Sequence, residues 1–207
     1  MMYYTRRMGA IVALLLGLGL WPASHAEAQT TQHTITLTEF NAGRLQRTQR
    51  CMWVLGAWGA ANVAVGGIGI GLSKRGENRA FHQMNLGWGL VNLGLAASGI
   101  WTASHADPAV FDLVASIGEQ HRIERILLFN AGLDVGYIMS GVWLQAKART
   151  SERSQERFKG FGRSIVMQGA FLMAFDLGAY FYIRQNGQSL PALLYPTGQG
   201  LGLTIPF

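Results

Sequence analysis

The chain has 207 residues, which is enough for one compact domain. Only 14% of them are charged, against about 25% in an ordinary soluble domain, and this argues against a water-soluble enzyme. Lysine and arginine outnumber aspartate and glutamate by 17 to 11, but they lie in short groups between apolar stretches. That distribution is typical of a membrane protein and excludes a long basic surface for nucleic acid.

The first 28 residues have the order of a secretory signal peptide. Arg6 and Arg7 precede an apolar run over 9–20, and small residues follow over 23–28. This run is too short to span a bilayer comfortably. We predict a signal peptide over 1–28 that is cleaved after Ala26 or Ala28, with an uncleaved anchor as the alternative.

Four apolar segments follow, at 51–72, 83–103, 126–146 and 164–185. Each has about 20 residues, the length that crosses roughly 30 Å of hydrocarbon as a helix. The sequence therefore predicts an all-α fold, an integral membrane four-helix bundle of two helical hairpins over 51–186. Because Asn, Gly, Gln and Asp interrupt the segments, a soluble helical bundle is the alternative. Six glycines in the first segment favour lipid, where small residues let helices approach closely.

The cations predict the orientation of the bundle. Nine of them flank or lie in the first and third loops, and six lie in the remaining extramembrane segments. Loops rich in Lys and Arg stay in the cytoplasm, so we predict the bacterial inner (cytoplasmic) membrane with both termini outside.

Two further segments are predicted to be helical at the outer surface. Residues 29–50 form an external N-terminal segment whose interfacial helix starts near Thr38, and Asp107 with Pro108 precedes an amphipathic stretch over 109–125. The tail over 187–207 is predicted to be extended and external. Its alternating apolar residues up to Phe207 leave a barrel or assembly signal as the alternative.

Two motifs occur twice. The pattern WGxxN ends at Asn62 in the first span and at Asn92 in the second, and the pattern FxxxxDhG places Asp134 in the third span and Asp176 in the fourth. At 1.5 Å per residue, all four side chains fall about 12 to 17 Å from the outer boundary. We therefore predict a polar belt near the midplane. Five further polar residues are expected to support it: Asn85, Asn130, Tyr137, Gln168 and Tyr180.

The belt has two interpretations. A carboxylate at the bilayer centre costs at least about 2.5 to 3.5 kcal/mol. Neither Asp134 nor Asp176 has a cation in its own span that would offset this cost. The first interpretation is therefore that the belt is a site for an ion, a proton or a small polar ligand. The second is that Asn and neutral Asp only hydrogen-bond across the core and fix helix packing. The predicted function is accordingly a small binding or permeation module, with a structural or assembly protein of the cell envelope as the alternative.

Motifs for catalysis are missing from the sequence. It has no G-x-S-x-G, H-E-x-x-H or P-loop pattern, its histidines are not paired for haem, and Cys51 is its only cysteine. We expect no catalytic residue, cofactor or metal site, and a membrane enzyme that uses the two acids ranks last. The expected partners are the lipid bilayer and either a second copy of the chain or another envelope protein.

Three segments, 81–94, 128–137 and 160–164, resemble a family of small bacterial membrane proteins, a domain of unknown function. The likeness covers roughly residues 40–186, and the run around Trp88 to Asn92 is its most specific part. The resemblance implies a four-helix membrane fold and carries no activity or catalytic residue with it.

Overall fold

The computed structural model describes residues 35–191, which form four long helices joined by short connections. The helices are α1 (Leu37–Leu72), α2 (Glu77–His105), α3 (Leu113–Lys147) and α4 (Gln155–Gly187). Single turns of 3-10 helix, Pro108–Val110 and Ala148–Thr150, lie in the second and third connections. This part of the chain contains no strand, so the all-α prediction is confirmed there. The signal peptide over 1–28 and the tail from 192 onward lie outside the described residues.

A capping box fixes the start of α1. The Thr36 hydroxyl accepts a hydrogen bond from the Glu39 backbone N–H at 3.2 Å, and the Glu39 carboxylate accepts one from the Thr36 N–H at 2.8 Å. The helix therefore begins at Leu37, next to the predicted start at Thr38, and runs without a break into the first apolar segment. Its 36 residues extend about 54 Å, more than the hydrocarbon thickness requires.

Two aspartates organise the connection between α2 and α3. Asp107 accepts a hydrogen bond from the Ala109 N–H at 2.9 Å and caps the 3-10 turn that begins with Pro108. Asp112 accepts one from the Ala115 N–H at 2.7 Å and caps α3 itself. The predicted amphipathic stretch over 109–125 therefore continues directly into the third apolar segment as one helix.

The helices pair as two hairpins. Helix α1 packs along α2, α3 packs along α4, and the hairpins meet mainly where α2 packs against α4. Helices α2 and α3 do not pack along each other. We call the end of the bundle with connections 73–76 and 148–154 the hairpin end, and the end with connection 106–112 the terminal end.

Glycine allows the backbones of each hairpin to touch. A Cβ atom on Gly89 of α2 would lie 2.8 Å from the Gly59 carbonyl oxygen of α1. In the second hairpin, a Cβ atom on Gly141 of α3 would lie 2.7 Å from the Gly162 carbonyl oxygen of α4. These distances leave no room for a larger residue, so both hairpins depend on backbone contact.

Within 35–191, three helical segments are long and apolar enough to cross a membrane: Leu37–Leu72, Leu113–Thr150 and Gln155–Gly187. Helix α2 is not among them. Asn85 and Asn92 reduce its average hydropathy, although both side chains are buried inside the bundle.

Candidate functional site

A cavity of about 350 Å³ lies between α2 and α3 and is closed behind by α1 and α4. Most of its wall is apolar. Leu95 of α2 and Ile126 and Leu133 of α3 line it and are also exposed on the outer surface of the bundle. Because α2 and α3 do not pack along each other, the cavity opens sideways through the gap between them.

Two buried polar atoms in the cavity wall have no hydrogen-bond partner. They are Nδ2 of Asn92 and Oδ2 of Asp134. The two residues are only 1% and 2% exposed, so surrounding solvent does not satisfy them from outside the bundle. A buried polar group without a partner costs roughly 1 to 3 kcal/mol. Two residues that line the cavity therefore carry an unpaired atom: an amide donor on Asn92, and a carboxyl oxygen on Asp134 that has no donor unless the neighbouring Asp176 is protonated.

Asp134 and Asp176 form a carboxyl pair at the same place. Their side chains are within hydrogen-bonding reach of each other, and Asn130 is within reach of Asp176. A hydrogen bond between two carboxyl groups needs a proton on one of them. When that bond is formed, the pair carries no more than one negative charge. Tyr137 and Thr48 add two hydroxyl groups to the wall.

A second polar cluster, the Gln168 network, lies closer to the hairpin end. Gln168 accepts a hydrogen bond from Trp58 Nε1 at 2.8 Å and donates to Asn62 Oδ1 at 2.7 Å and to Asn85 Oδ1 at 3.1 Å. The hydroxyl of Ser164 also donates to Asn85 Oδ1. The network links α1, α2 and α4, and Gln168 at its centre is fully buried.

The structure separates the predicted belt into these two groups. Asn92, Asp134 and Asp176 share the cavity wall with Asn130 and Tyr137. The remaining four residues, which include Gln168 itself, lie elsewhere. Asn62 and Asn85 belong to the Gln168 network, and Tyr180 lies toward the terminal end, where its hydroxyl oxygen accepts a hydrogen bond from Arg184 Nη1 at 2.7 Å.

Sequence reasoning missed a third polar cluster at the terminal end. Arg44 is 2% exposed, lies over the Phe111 ring at 4.9 Å and donates from Nη2 to Asn41 Oδ1 at 3.4 Å. Gln120 is completely buried and donates from Nε2 to Glu124 Oε1 at 2.8 Å and to a backbone carbonyl of α4. The four-residue spacing of Gln120 and Glu124 was the available signal. No three His, Cys, Asp or Glu side chains within 35–191 are grouped to hold a metal ion.

The fold and the cavity define a small helical protein with a mostly apolar cleft of ligand size that contains a few polar residues. Residues 54–177 match the model of a family of unknown function, DUF6992, and the chain belongs to this family. The matched region includes Asn92, Asn130, Asp134, Tyr137 and Asp176 of the cavity wall, whereas Thr48 precedes it. Searches of curated proteins and of solved structures returned no match.

Proposed function

We propose that the protein is a four-span protein of the bacterial inner membrane that binds a small ligand in the cavity between α2 and α3. The observation that carries the proposal is that Asn92 and Asp134, which line one cavity, each have a buried side-chain atom without a partner, Nδ2 and Oδ2. A ligand that hydrogen-bonds to both would remove the cost of leaving them unpaired.

The distribution of polar and apolar residues supports a membrane location over a soluble bundle. Within 35–191, twelve polar or charged residues are buried against eleven apolar ones, while 21 large apolar residues are exposed. Monomeric soluble proteins rarely expose apolar surface on this scale. In a bilayer, by contrast, outward apolar side chains face lipid and inward polar ones hydrogen-bond to each other. Helix α2 fits as the fourth span because Asn85 and Asn92, the asparagines of its apolar segment, are buried inside the bundle.

Two tryptophans support a position for the cavity near the middle of the bilayer. Trp101 of α2 and Trp143 of α3 are 67% and 58% exposed, and tryptophan is common at membrane interfaces. Asn92 precedes Trp101 by nine residues, and Asp134 precedes Trp143 by nine. Each interval corresponds to about 14 Å of helix, so the two tryptophan levels lie about 27 Å apart, close to the hydrocarbon thickness.

The same arrangement favours binding over permeation. On the hairpin side of the cavity, the rings of Trp58 and Phe171 stack with centroids 3.9 Å apart, and the Gln168 network fills the space among α1, α2 and α4. An ion in the cavity would have to displace this packed layer to continue. Of the two roles predicted from the sequence, binding is therefore better supported than permeation.

A purely structural role is the second candidate, and the Gln168 network favours it. Asn62 and Asn85 have partners there and act as interhelical hydrogen-bonding groups. If Asn92 and the acids did the same, the polar residues would serve packing only.

The test is photolabelling of the full chain in lipid nanodiscs with an eight-carbon alcohol that carries a diazirine. Light releases N₂ from the diazirine, and the carbene inserts into neighbouring side chains, which mass spectrometry identifies. We expect labels on the cavity wall that excess 1-octanol suppresses. Asn92→Leu should reduce this labelling about fivefold, which corresponds to losing about 1 kcal/mol of binding, while Asn62→Leu should retain it.

Labels distributed over all outward helix surfaces and insensitive to 1-octanol would contradict the binding proposal and favour the structural role. So would equal labelling of Asn92→Leu and Asn62→Leu, since the probe would then not use the unpaired amide.

A further inference from the structure

We infer that the ligand is a long-chain aliphatic compound with a single hydroxyl head, bound with the hydroxyl on Asn92 and Asp134 and the chain leaving sideways between α2 and α3. The inference rests on the proposed function and specifies the substrate class of that site.

The head group follows from the two atoms without partners. The amide N–H of Asn92 needs an acceptor, and a carboxylate oxygen of Asp134 needs a donor. Because the two residues line the same cavity, one hydroxyl group can serve both: its oxygen accepts from the Asn92 amide and its O–H donates to Asp134. An ammonium group only donates: an ionised Asp134 would attract it, but it would leave the Asn92 N–H unpaired and would have to lose its hydration in a mostly apolar cavity. A carboxylate only accepts and would be repelled by the Asp134 and Asp176 pair.

The aliphatic chain of the ligand is inferred from the apolar wall of the cavity and from the gap between α2 and α3. Behind the polar residues, Leu55 of α1 and Leu172 and Phe175 of α4 form an apolar surface. Toward the outside, Leu95 of α2 and Ile126 of α3 border the opening and are 58% and 44% exposed. These residues favour methylene groups along the whole route from the polar atoms to the surface.

The position of the gap along the helices indicates which part of the bilayer it faces. The ring contact between Trp88 and Tyr137, with centroids 5.0 Å apart, joins α2 to α3 on the hairpin side of Asn92. The opening above this contact lies between the levels of Trp101 and Trp143. In the proposed orientation it faces the hydrocarbon of the bilayer, so the ligand's chain can remain in lipid while its head is bound.

A lateral opening makes a specific prediction about chain length. The cavity volume of about 350 Å³ is at the small end of the range for ligand pockets, so a closed cavity would reject long chains. An open gap sets no such limit. Alcohols of eight, twelve and sixteen carbons, added at equal mole fractions in the nanodisc bilayer, should therefore suppress the diazirine probe's labelling equally well or better as the chain lengthens.

Variants at the opening provide the matched control. Leu95 and Leu90 lie on the same helix and are both 58% exposed, but only Leu95 lines the cavity. Leu95→Trp should reduce competition by the sixteen-carbon alcohol at least about tenfold, whereas Leu90→Trp should leave it unchanged. Ile126→Trp repeats the test from the α3 side, and none of the three changes touches a buried side chain.

The head group is tested with molecules of equal chain length. Dodecanol should compete at least about tenfold better than dodecane or dodecylammonium, and this advantage should fall about fivefold in Asn92→Leu, where only Asp134 is left to bind the hydroxyl. Equal competition by all three would overturn the assignment of the head group. Saturable labelling by the eight-carbon probe with loss of competition at twelve or sixteen carbons would overturn the lateral route and leave the proposed function standing. Absence of saturable labelling by the eight-carbon probe would contradict both the lateral route and the proposed function.

Discussion

Two asparagines at equivalent motif positions have different surroundings. Asn62 and Asn92 each end a WGxxN pattern, one in α1 and one in α2. Asn62 faces Gln168 of α4 and accepts a hydrogen bond from it at 2.7 Å. Asn92 lies nearer the terminal end, where the neighbouring helix α3 is separated from α2 by the cavity, and its Nδ2 atom has no partner. The local sequence is therefore the same while the hydrogen bonding differs.

Replacing each asparagine by leucine should change stability in opposite directions. Asn62→Leu should reduce the free energy of unfolding by about 1 to 2 kcal/mol, because Gln168 loses an acceptor in a buried site. Asn92→Leu should leave it unchanged or raise it by up to about 1 kcal/mol, because no hydrogen bond is lost and a buried polar group is removed. Unfolding by sodium dodecyl sulfate in mixed micelles, followed by circular dichroism, measures both. A loss in Asn92→Leu as large as in Asn62→Leu would show that the Asn92 amide stabilises the bundle.

At the scale of the helices, close glycine contacts hold each hairpin and leave other glycines free. Gly141 and Gly162 approach so closely that neither can carry a side chain without displacing the other helix. At Gly132 and Gly136 of the same helix α3, an added Cβ atom would meet no other part of the protein within 4 Å. The glycines of α3 thus divide into those that pack against α4 and those on the opposite, outward face.

This difference predicts unequal effects of alanine. Gly141→Ala places a methyl group 2.7 Å from the Gly162 carbonyl oxygen and should cost about 1 to 3 kcal/mol through overpacking. Gly136→Ala meets nothing within 4 Å and should be neutral or stabilising by up to about 1 kcal/mol, the helix propensity gained. The same detergent unfolding experiment compares them. Equal losses would mean that the outward face of α3 is also packed.

The positions of the helices were predictable from the sequence, whereas the packing of one helix against another was not. The length and hydropathy of the segments were enough to place all four helices, and the spacing of Asn130, Asp134 and Tyr137 placed them on one helix face. Sequence periodicity gives the direction of a side chain on its own helix, but it does not say which helix lies opposite. The partnership of Gln168 with Asn62 and the gap between α2 and α3 depend on how the two hairpins dock.

Over the whole molecule, charge is distributed unequally between the two ends of the bundle. The hairpin end has nine lysines and arginines: Lys74, Arg75, Arg79, Lys147, Arg149, Arg153, Arg157, Lys159 and Arg163. The terminal end has six, and several are engaged within the protein. Arg44 is buried, Arg47 donates to the Tyr182 carbonyl oxygen at 3.1 Å, and Arg122 binds Glu119 at 2.6 Å. Cations of the hairpin end are engaged as well, since Arg163 binds Glu77 at 2.6 Å and Arg79 donates to the Ile70 carbonyl oxygen at 2.7 Å. Within 35–191, the count of nine against six therefore favours the cytoplasmic side for the hairpin end.

This orientation can be tested with one cysteine at each end. Cys51→Ser removes the chain's only thiol, and Val110→Cys or Glu152→Cys then adds one in the connection at the terminal end or the hairpin end. In intact cells, a membrane-impermeant maleimide should label Val110→Cys at least about tenfold faster than Glu152→Cys, because the bilayer excludes the charged reagent from the cytoplasm. Permeabilised cells are the control, where both thiols should react. Preferential labelling of Glu152→Cys would reverse the orientation but leave the cavity near the midplane, since Asn92 and Asp134 are equally far from the two tryptophan levels. Labelling of both in intact cells would contradict the membrane-spanning arrangement itself, and with it the route by which an aliphatic chain reaches the gap between α2 and α3.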